Sequence, residues 1–284
     1  MAGPFDPSSP EFPPRPPREG VSYSSYLQID GLLNLQQPLS NPEHHDELLF
    51  IIVHQVYELW FRQLVHELKA ARTCFDHDEV LQAHKIFKRL TTIQQVLVEQ
   101  LKVLETMTPQ DFNHFRGLLN PASGFQSAQF RVLEALSGIK DKRFLKLHQK
   151  SPELLSTLQS ALDDPSVYDA FIGMLARKGF DVPTAAPEID TPDSERVIQA
   201  FKEIYEESEK HYALYLMCEY LIEYDELFQT WRFCHVKMVE RTIGERMGTG
   251  GSPGARYLWT TLTKRFFPEL WRVRTHLGGG AYGG

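Results

Sequence analysis

The chain has 284 residues, 42% hydrophobic and 24% charged, with a formal net charge of −7, the profile of a globular protein with room for one large core or two smaller ones. No run approaches the ~18 uncharged apolar residues of a membrane helix, and three widely spaced cysteines with no CxxC pair argue against a disulfide framework, a zinc finger or a haem-attachment motif. The acidic balance weighs against nucleic acid or an anionic membrane as partner, and unpaired cysteines fit a cytoplasmic protein.

Residues 1–20 hold seven prolines and lack the apolar run of a secretory signal, so they read as a disordered tail. Tyr23-Ser24-Ser25-Tyr26-Leu27 follows, as a small helix or an extended docking arm. Asn41-Pro42 predicts the start of the first long helix, with Asn as N-cap and Pro at the first helical position. Asp46 and Glu47 suit its N-terminal dipole end. Apolar residues at 48, 49, 52, 53, 56, 59, 60 and 64 recur at threes and fours and carry the helix to about Phe75. A second helix is predicted from about Asp78 to Thr106. Thr108-Pro109-Gln110-Asp111 signals a third, bearing Phe112, Phe115, Arg116, Leu118 and Leu119 and ending at Asn120-Pro121. After the loop Ala122-Ser123-Gly124, helix resumes near Phe125–Ala135, and two or three short helices cover 141–178. Pro183, Pro187 and Pro192 break the chain. Asp193–Ile243 reads as helical throughout, as one helix or two. A Gly-rich loop over 248–254 precedes a last helix over about Ala255–His276, bent near Pro268. Residues 277–284 form a flexible Gly-rich tail. No strand series is present, so the fold class is all-α, a single bundle of long helices over 21–276.

Several patterns carry possible chemistry. A di-iron bundle needs two Glu-x-x-His pairs, and the sequence has none. His44-His45-Asp46-Glu47 has the spacing of a facial triad, but residues i and i+2 of a helix diverge by about 200°, so it reads as a solvated first turn. The Gly-rich loop lacks the Lys-Ser/Thr ending of a nucleotide P-loop; it is either a plain connector or a loop that holds a carboxylate and closes over a pocket. Stepping by three and four from Phe228 gives Trp231, His235, Met238 and Val239, with Arg232 the one polar intruder. His235 is then either a hydrogen-bonded core histidine or an axial haem ligand on an apolar wall. His54 stands similarly among Phe50, Tyr57 and Phe61, with Glu47 and Glu58 beside it. Arg116, beside Phe112 and Phe115, either reaches solvent or clamps a carboxylate bidentately in a dry pocket.

At these residues the sequence resembles the tryptophan 2,3-dioxygenase family from about Tyr23 to Thr275. The matching blocks are Tyr23-Ser-Ser-Tyr26-Leu, His44-His-Asp-Glu-Leu-Leu-Phe50-Ile-Ile-Val-His54-Gln, Tyr57-Glu-Leu-Trp60, Phe112-Asn-His-Phe115-Arg116, Pro121-Ala-Ser-Gly124-Phe-Gln-Ser127, Trp231-Arg-Phe-Cys-His235, Gly248-Thr249-Gly-Gly-Ser252 and Phe267-Pro-Glu-Leu-Trp271. The resemblance implies haem b, ferrous when active, with O2 as co-substrate and L-tryptophan cleaved at its indole C2–C3 bond to N-formyl-L-kynurenine. It implies His235 as the proximal haem ligand, with Trp231, Ser123 and Gly124 also lining the haem. His54 is implied as the distal histidine that accepts the indole N–H. Arg116 is implied as the carboxylate clamp, and Thr249 as partner to the substrate's ammonium and carboxylate. Phe50, Phe112, Phe115 and Leu119 become indole-pocket walls. Tyr23 and Tyr26 become residues lent to a neighbouring subunit within a homotetramer. Phe112 stands where some members have Tyr, and Leu101, Cys234 and Pro253 also depart from the family pattern. The alternatives are a related haem monooxygenase giving an oxindole-type product, and a non-catalytic haem-binding protein.

Overall fold

The computed structural model describes residues 20–251 and 254–278. The expected tails therefore lie outside the described residues, apart from Gly20, Leu277 and Gly278, and so does Pro253. Among the described residues there is helix and no strand, as the sequence predicts.

The segment after the tail is the small-helix alternative, as two five-residue helices, α1 (Tyr23–Leu27) and α2 (Ile29–Leu33), parted at Gln28, whose φ is 53°. Ser22 caps α1 reciprocally with Ser25. Then comes α3 (His45–Asp76), which starts later than Asn41-Pro42 predicts. Its N-cap is His44, whose Nδ1 accepts from the Asp46 N–H at 3.3 Å. The cause is Glu47. Its carboxylate accepts from the N–H of Leu39 at 2.7 Å and the N–H of Ser40 at 3.0 Å, so those residues are folded back across the first turn. Glu47 is only 1% exposed. The expected solvated turn is therefore an anchor for the segment between α2 and α3.

The next elements are α4 (Val80–Leu104), α5 (Pro109–Arg116), α6 (Ala128–Ser137), α7 (Pro152–Asp163), α8 (Val167–Arg177), α9 (Pro192–Glu206) and α10 (Tyr212–Ile243). Short 3-10 turns fill Gly117–Leu119, Gly124–Gln126 and Lys142–His148. The Thr108 signal holds: its side chain accepts from the Asp111 N–H, and Asp111 accepts from the Thr108 N–H in return. The stretch 193–243 is two helices. The predicted last helix is not continuous. It is α11 (Ala255–Trp259), a turn, α12 (Pro268–Arg272) and a 3-10 turn over Val273–His276. The backbone between α11 and α12 is satisfied by α10 side chains instead of by a helix. Asp225 accepts from the N–H groups of Phe266 (2.9 Å) and Phe267 (3.3 Å), and Arg232 donates to the carbonyl of Lys264 at 3.0 Å. Pro268 starts a helix there and does not bend one.

The bundle is built on α3, α4 and α10. Helix α4 lies against both α3 and α10, and α6 and α8 cover the other side of α3. Leu64, Leu68 and Phe75 of α3, Phe87 and Leu90 of α4, Phe171 of α8 and Leu221 and Tyr224 of α10 are fully buried. Each such side chain contributes about 1.5–3 kcal/mol by leaving water. Helix α3 is long and apolar enough to cross a membrane, yet it carries Glu58 and Glu67. Glu67 is buried and accepts from Arg89 of α4 at 2.7 Å. One buried ion cluster braces α10: Arg232 donates to Glu134 of α6 at 2.9 Å, and Arg131 to the same carboxylate at 2.5 Å. This pairing accounts for the polar intruder on the His235 face.

Candidate active site

Three aromatic rings from two helices pack on one another. Phe50 of α3 lies 5.6 Å from Phe112 and 5.6 Å from Phe115 of α5, and those two meet edge-to-face at 5.5 Å. Phe112 and Phe115 fall three apart on a capped helix, so both turn inward. His54, one turn after Phe50, adds its imidazole 4.1 Å from the Phe50 ring.

The protonation pattern of His54 follows from its neighbour. Its Nδ1 lies 2.7 Å from the Phe50 carbonyl oxygen. A carbonyl only accepts, so Nδ1 carries the hydrogen and, in the neutral ring, Nε2 keeps its lone pair. The His54 residue is exposed at the surface, yet the crowding of atoms around its ring pushes the pKa below 6.5, against the smaller opposing effects of that hydrogen bond and of Glu58. The ring is thus neutral at pH 7 and presents one acceptor.

Across the bundle, His235 of α10 has its pKa pushed down to about 4, by burial first and by the charge of His54 second. The His235 ring is half-buried and takes part in no hydrogen bond among the described residues, and it lies parallel to the Trp231 indole at 5.1 Å. A neutral imidazole with free ring nitrogens, on a wall of Phe228, Trp231 and Met238, is the donor that haem iron takes. At Gly124, an added Cβ would meet nothing within 4 Å, so the backbone there borders open space. The residues present fit a flat macrocycle held by one histidine.

Arg116 sits where α5 ends, half-buried, and donates to the Met247 carbonyl. No carboxylate pairs with it among the described residues. Burial, with the nearby Arg246, pushes its pKa down. Arg246 donates to Asn113 Oδ1 at 3.0 Å, so α5 and the loop after α10 are tied twice. Thr249 Oγ1 donates to the Ala122 carbonyl at 2.6 Å, leaving its oxygen lone pairs to accept. Gly250 packs on Ser123 so closely that a Cβ would stand 2.5 Å from the Ser123 Cβ. The Gly-rich loop is thus laid on the 121–124 turn, and Ser123 serves as its seat and as the cap of the following 3-10 turn.

A sequence model described as Tryptophan 2,3-dioxygenase matches residues 15–170 and 196–277. Relatives named tryptophan 2,3-dioxygenase are 44% identical in Arthrobacter sp. (strain FB24), over 91% of this chain and 92% of theirs. The Caulobacter vibrioides relative is 45% identical, over 91% of this chain and 99% of its own. The chain belongs to the tryptophan 2,3-dioxygenase family.

Within this family member, the residues expected from sequence fall in three groups: Phe50, His54, Phe112 and Phe115 pack together, Trp231 lies on His235, and Arg116, Ser123 and Thr249 contact the Gly-rich loop or the turn beneath it. Leu119 is half-buried against the core from its 3-10 turn. Tyr23 and Tyr26 do not join them. They are 77% and 74% exposed on α1. Of the departures, Leu101 is buried in the core and Cys234 is half-buried. Sequence reasoning missed Arg246 and Tyr57. Arg246 carried only a weak signal, a cation three residues before Thr249. Tyr57 falls on the His54 face by spacing, and its hydroxyl is the signal that sets it apart from a core phenylalanine.

Proposed function

We propose that this chain is a haem-dependent dioxygenase that opens the indole ring of L-tryptophan at C2–C3 and incorporates both atoms of O2, giving N-formyl-L-kynurenine, the first step of tryptophan catabolism by the kynurenine pathway. The observation that carries this reading is the acceptor nitrogen of His54, held beside the packed rings of Phe50, Phe112 and Phe115. His235 would hold haem b, with Trp231, Ser123 and Gly124 beside it, and the bound haem would supply the redox chemistry with O2. The other steps belong to the chain's own side chains.

Phe50, Phe112, Phe115 and Leu119 hold the indole and exclude water. Nε2 of His54 accepts the indole N–H. It orients the ring and does not remove the proton, because an indole N–H is a far weaker acid than imidazolium, whose ordinary pKa is ~6.5. Arg116 exchanges the Met247 carbonyl for the substrate carboxylate, which gives it a charged partner. Thr249, already donating to Ala122, accepts a hydrogen from the substrate ammonium. These contacts fix both ends of the amino acid and turn an encounter into a reactive pose. The working unit is a cytoplasmic homotetramer in which Tyr23 and Tyr26 reach a neighbouring subunit's site; their exposure of 77% and 74% supports this. Product analysis after turnover under ¹⁸O2 tests the reaction. Two labelled oxygens in N-formylkynurenine support it. One labelled oxygen in an oxindole product would make the chain a monooxygenase, and no product at all a haem-binding protein.

A further inference from the structure

Tyr57 lies on α3 three positions after His54, in none of the roles above. It is 8% exposed. Its hydroxyl donates to the Leu97 carbonyl of α4 at 2.7 Å and accepts from the Trp231 indole N–H of α10 at 3.4 Å. Trp231 in turn lies flat on His235, with ring centroids 5.1 Å apart and planes 5° from parallel. Phe130 at 5.4 Å and Phe228 at 6.1 Å close the box around the indole.

A phenylalanine would fill this volume without the cost of burying a hydroxyl. The hydroxyl here is used in both directions. Donation to a fixed backbone carbonyl sets where its lone pairs point, and that direction sets the indole plane. His235 has no hydrogen bond of its own among the described residues. Rotation of a histidine ring about its last torsion is broad unless something restrains it. The parallel indole is that restraint. Burial also pushes the Tyr57 pKa up to about 12, so the hydroxyl keeps its hydrogen at any working pH.

We infer that Tyr57 is a positioning residue that sets the ring plane of His235 through Trp231, and with it the alignment of the bond from His235 to haem iron. The inference rests on His235 being the haem ligand. It makes α3 serve both sides of the site: His54 faces the substrate, and Tyr57 braces the ligand.

The test compares full-length haem-loaded wild type with Tyr57→Phe, Trp231→Phe and the double variant. Two quantities are read: the iron–imidazole stretching band of the ferrous protein by resonance Raman, and the rate of haem transfer to apomyoglobin. Tyr57→Phe should shift and broaden the band and speed haem loss about fivefold, the worth of one ordinary hydrogen bond. Trp231→Phe leaves the bond from Tyr57 to Leu97 intact and should give the same signature. The double variant should be no worse than either single one, since both break one linkage. A purely structural Tyr57 would lower thermal stability and leave the band unmoved, which would overturn the inference, as would additive effects on haem loss. Wild type that takes up no haem would overturn the ligand assignment and this inference together. A normal wild-type band unaltered in Tyr57→Phe would overturn this inference alone.

Discussion

The Nδ1–H of His54 donates to the carbonyl of Phe50 at 2.7 Å, while the ring of Phe50 stands 4.1 Å from the same imidazole. One residue thus fixes the tautomer of the histidine with its backbone and packs against the imidazole with its side chain. The contact is an ordinary i to i−4 helix contact, so it depends on α3 staying regular across 50–54.

His54 gives a pH dependence with a definite sign. Its folded pKa lies below 6.5, so the ring stays neutral down through pH 6.5. The specificity constant kcat/KM should hold steady from pH 8 past 6.5 and fall only below it, as Nε2 is protonated and stops accepting. His54→Ala should lower kcat/KM by about 10- to 100-fold while retaining haem, and should lose this acidic limb. The unfolded chain takes up the proton first, so His54 also costs stability as pH falls below 6.5. A pH–rate profile whose acidic limb is the same in both proteins would contradict the assignment.

Arg116 should be sensitive to geometry as well as to charge. Arg116→Lys keeps the cation and loses the planar fork, and KM for L-tryptophan should rise about tenfold. Arg116→Ala should cost about 2–3 kcal/mol of substrate binding. Tryptamine, which has no carboxylate, should bind wild type and Arg116→Ala with similar affinity. Equal losses for both ligands would place Arg116 in a structural role.

Glu47 is the anchor between the α1–α2 arm and the bundle. Glu47→Gln removes the charge that accepts from Leu39 and Ser40, with an expected stability loss of about 2 kcal/mol in a urea titration. Burial raises its pKa, but the hydrogen bonds from Ser40 and Leu39 outweigh this and hold it below 4.5. Its contribution is therefore present above pH 4.5 and is lost as pH falls through the lowered value. Limited proteolysis near residues 34–44 should be faster in the variant. Unchanged stability and cleavage would show that the arm is held by other contacts.

His235→Ala should abolish stable haem binding, because among the described residues no other half-buried, unpartnered imidazole stands on that wall. Stoichiometric haem retained by the variant, with the wild-type iron–imidazole band, would show that another residue is the ligand.

The helices were legible because apolar spacing and caps are local: the signals at Thr108-Pro109 and along α3 and α4 translate directly into structure. The boundaries that shifted did so through distant side chains. Glu47 pulled the start of α3 from Asn41 to His44, and Asp225 with Arg232 broke the last helix by taking its backbone groups. The site divides in the same way. Phe112, Phe115 and Arg116 share one short helix and could be read as a face. The chain from Leu97 through Tyr57 to Trp231 joins separate helices, and no local spacing encodes it.

Binding of haem on His235 with L-tryptophan beside it is tested most directly by the absorbance spectrum of reduced, purified protein with and without L-tryptophan. A ferrous haem band that is present in wild type and shifts on adding L-tryptophan, but not on adding tryptamine at the same concentration, is the predicted result. Protein that binds no haem, or a haem band indifferent to L-tryptophan at millimolar concentration, would contradict it.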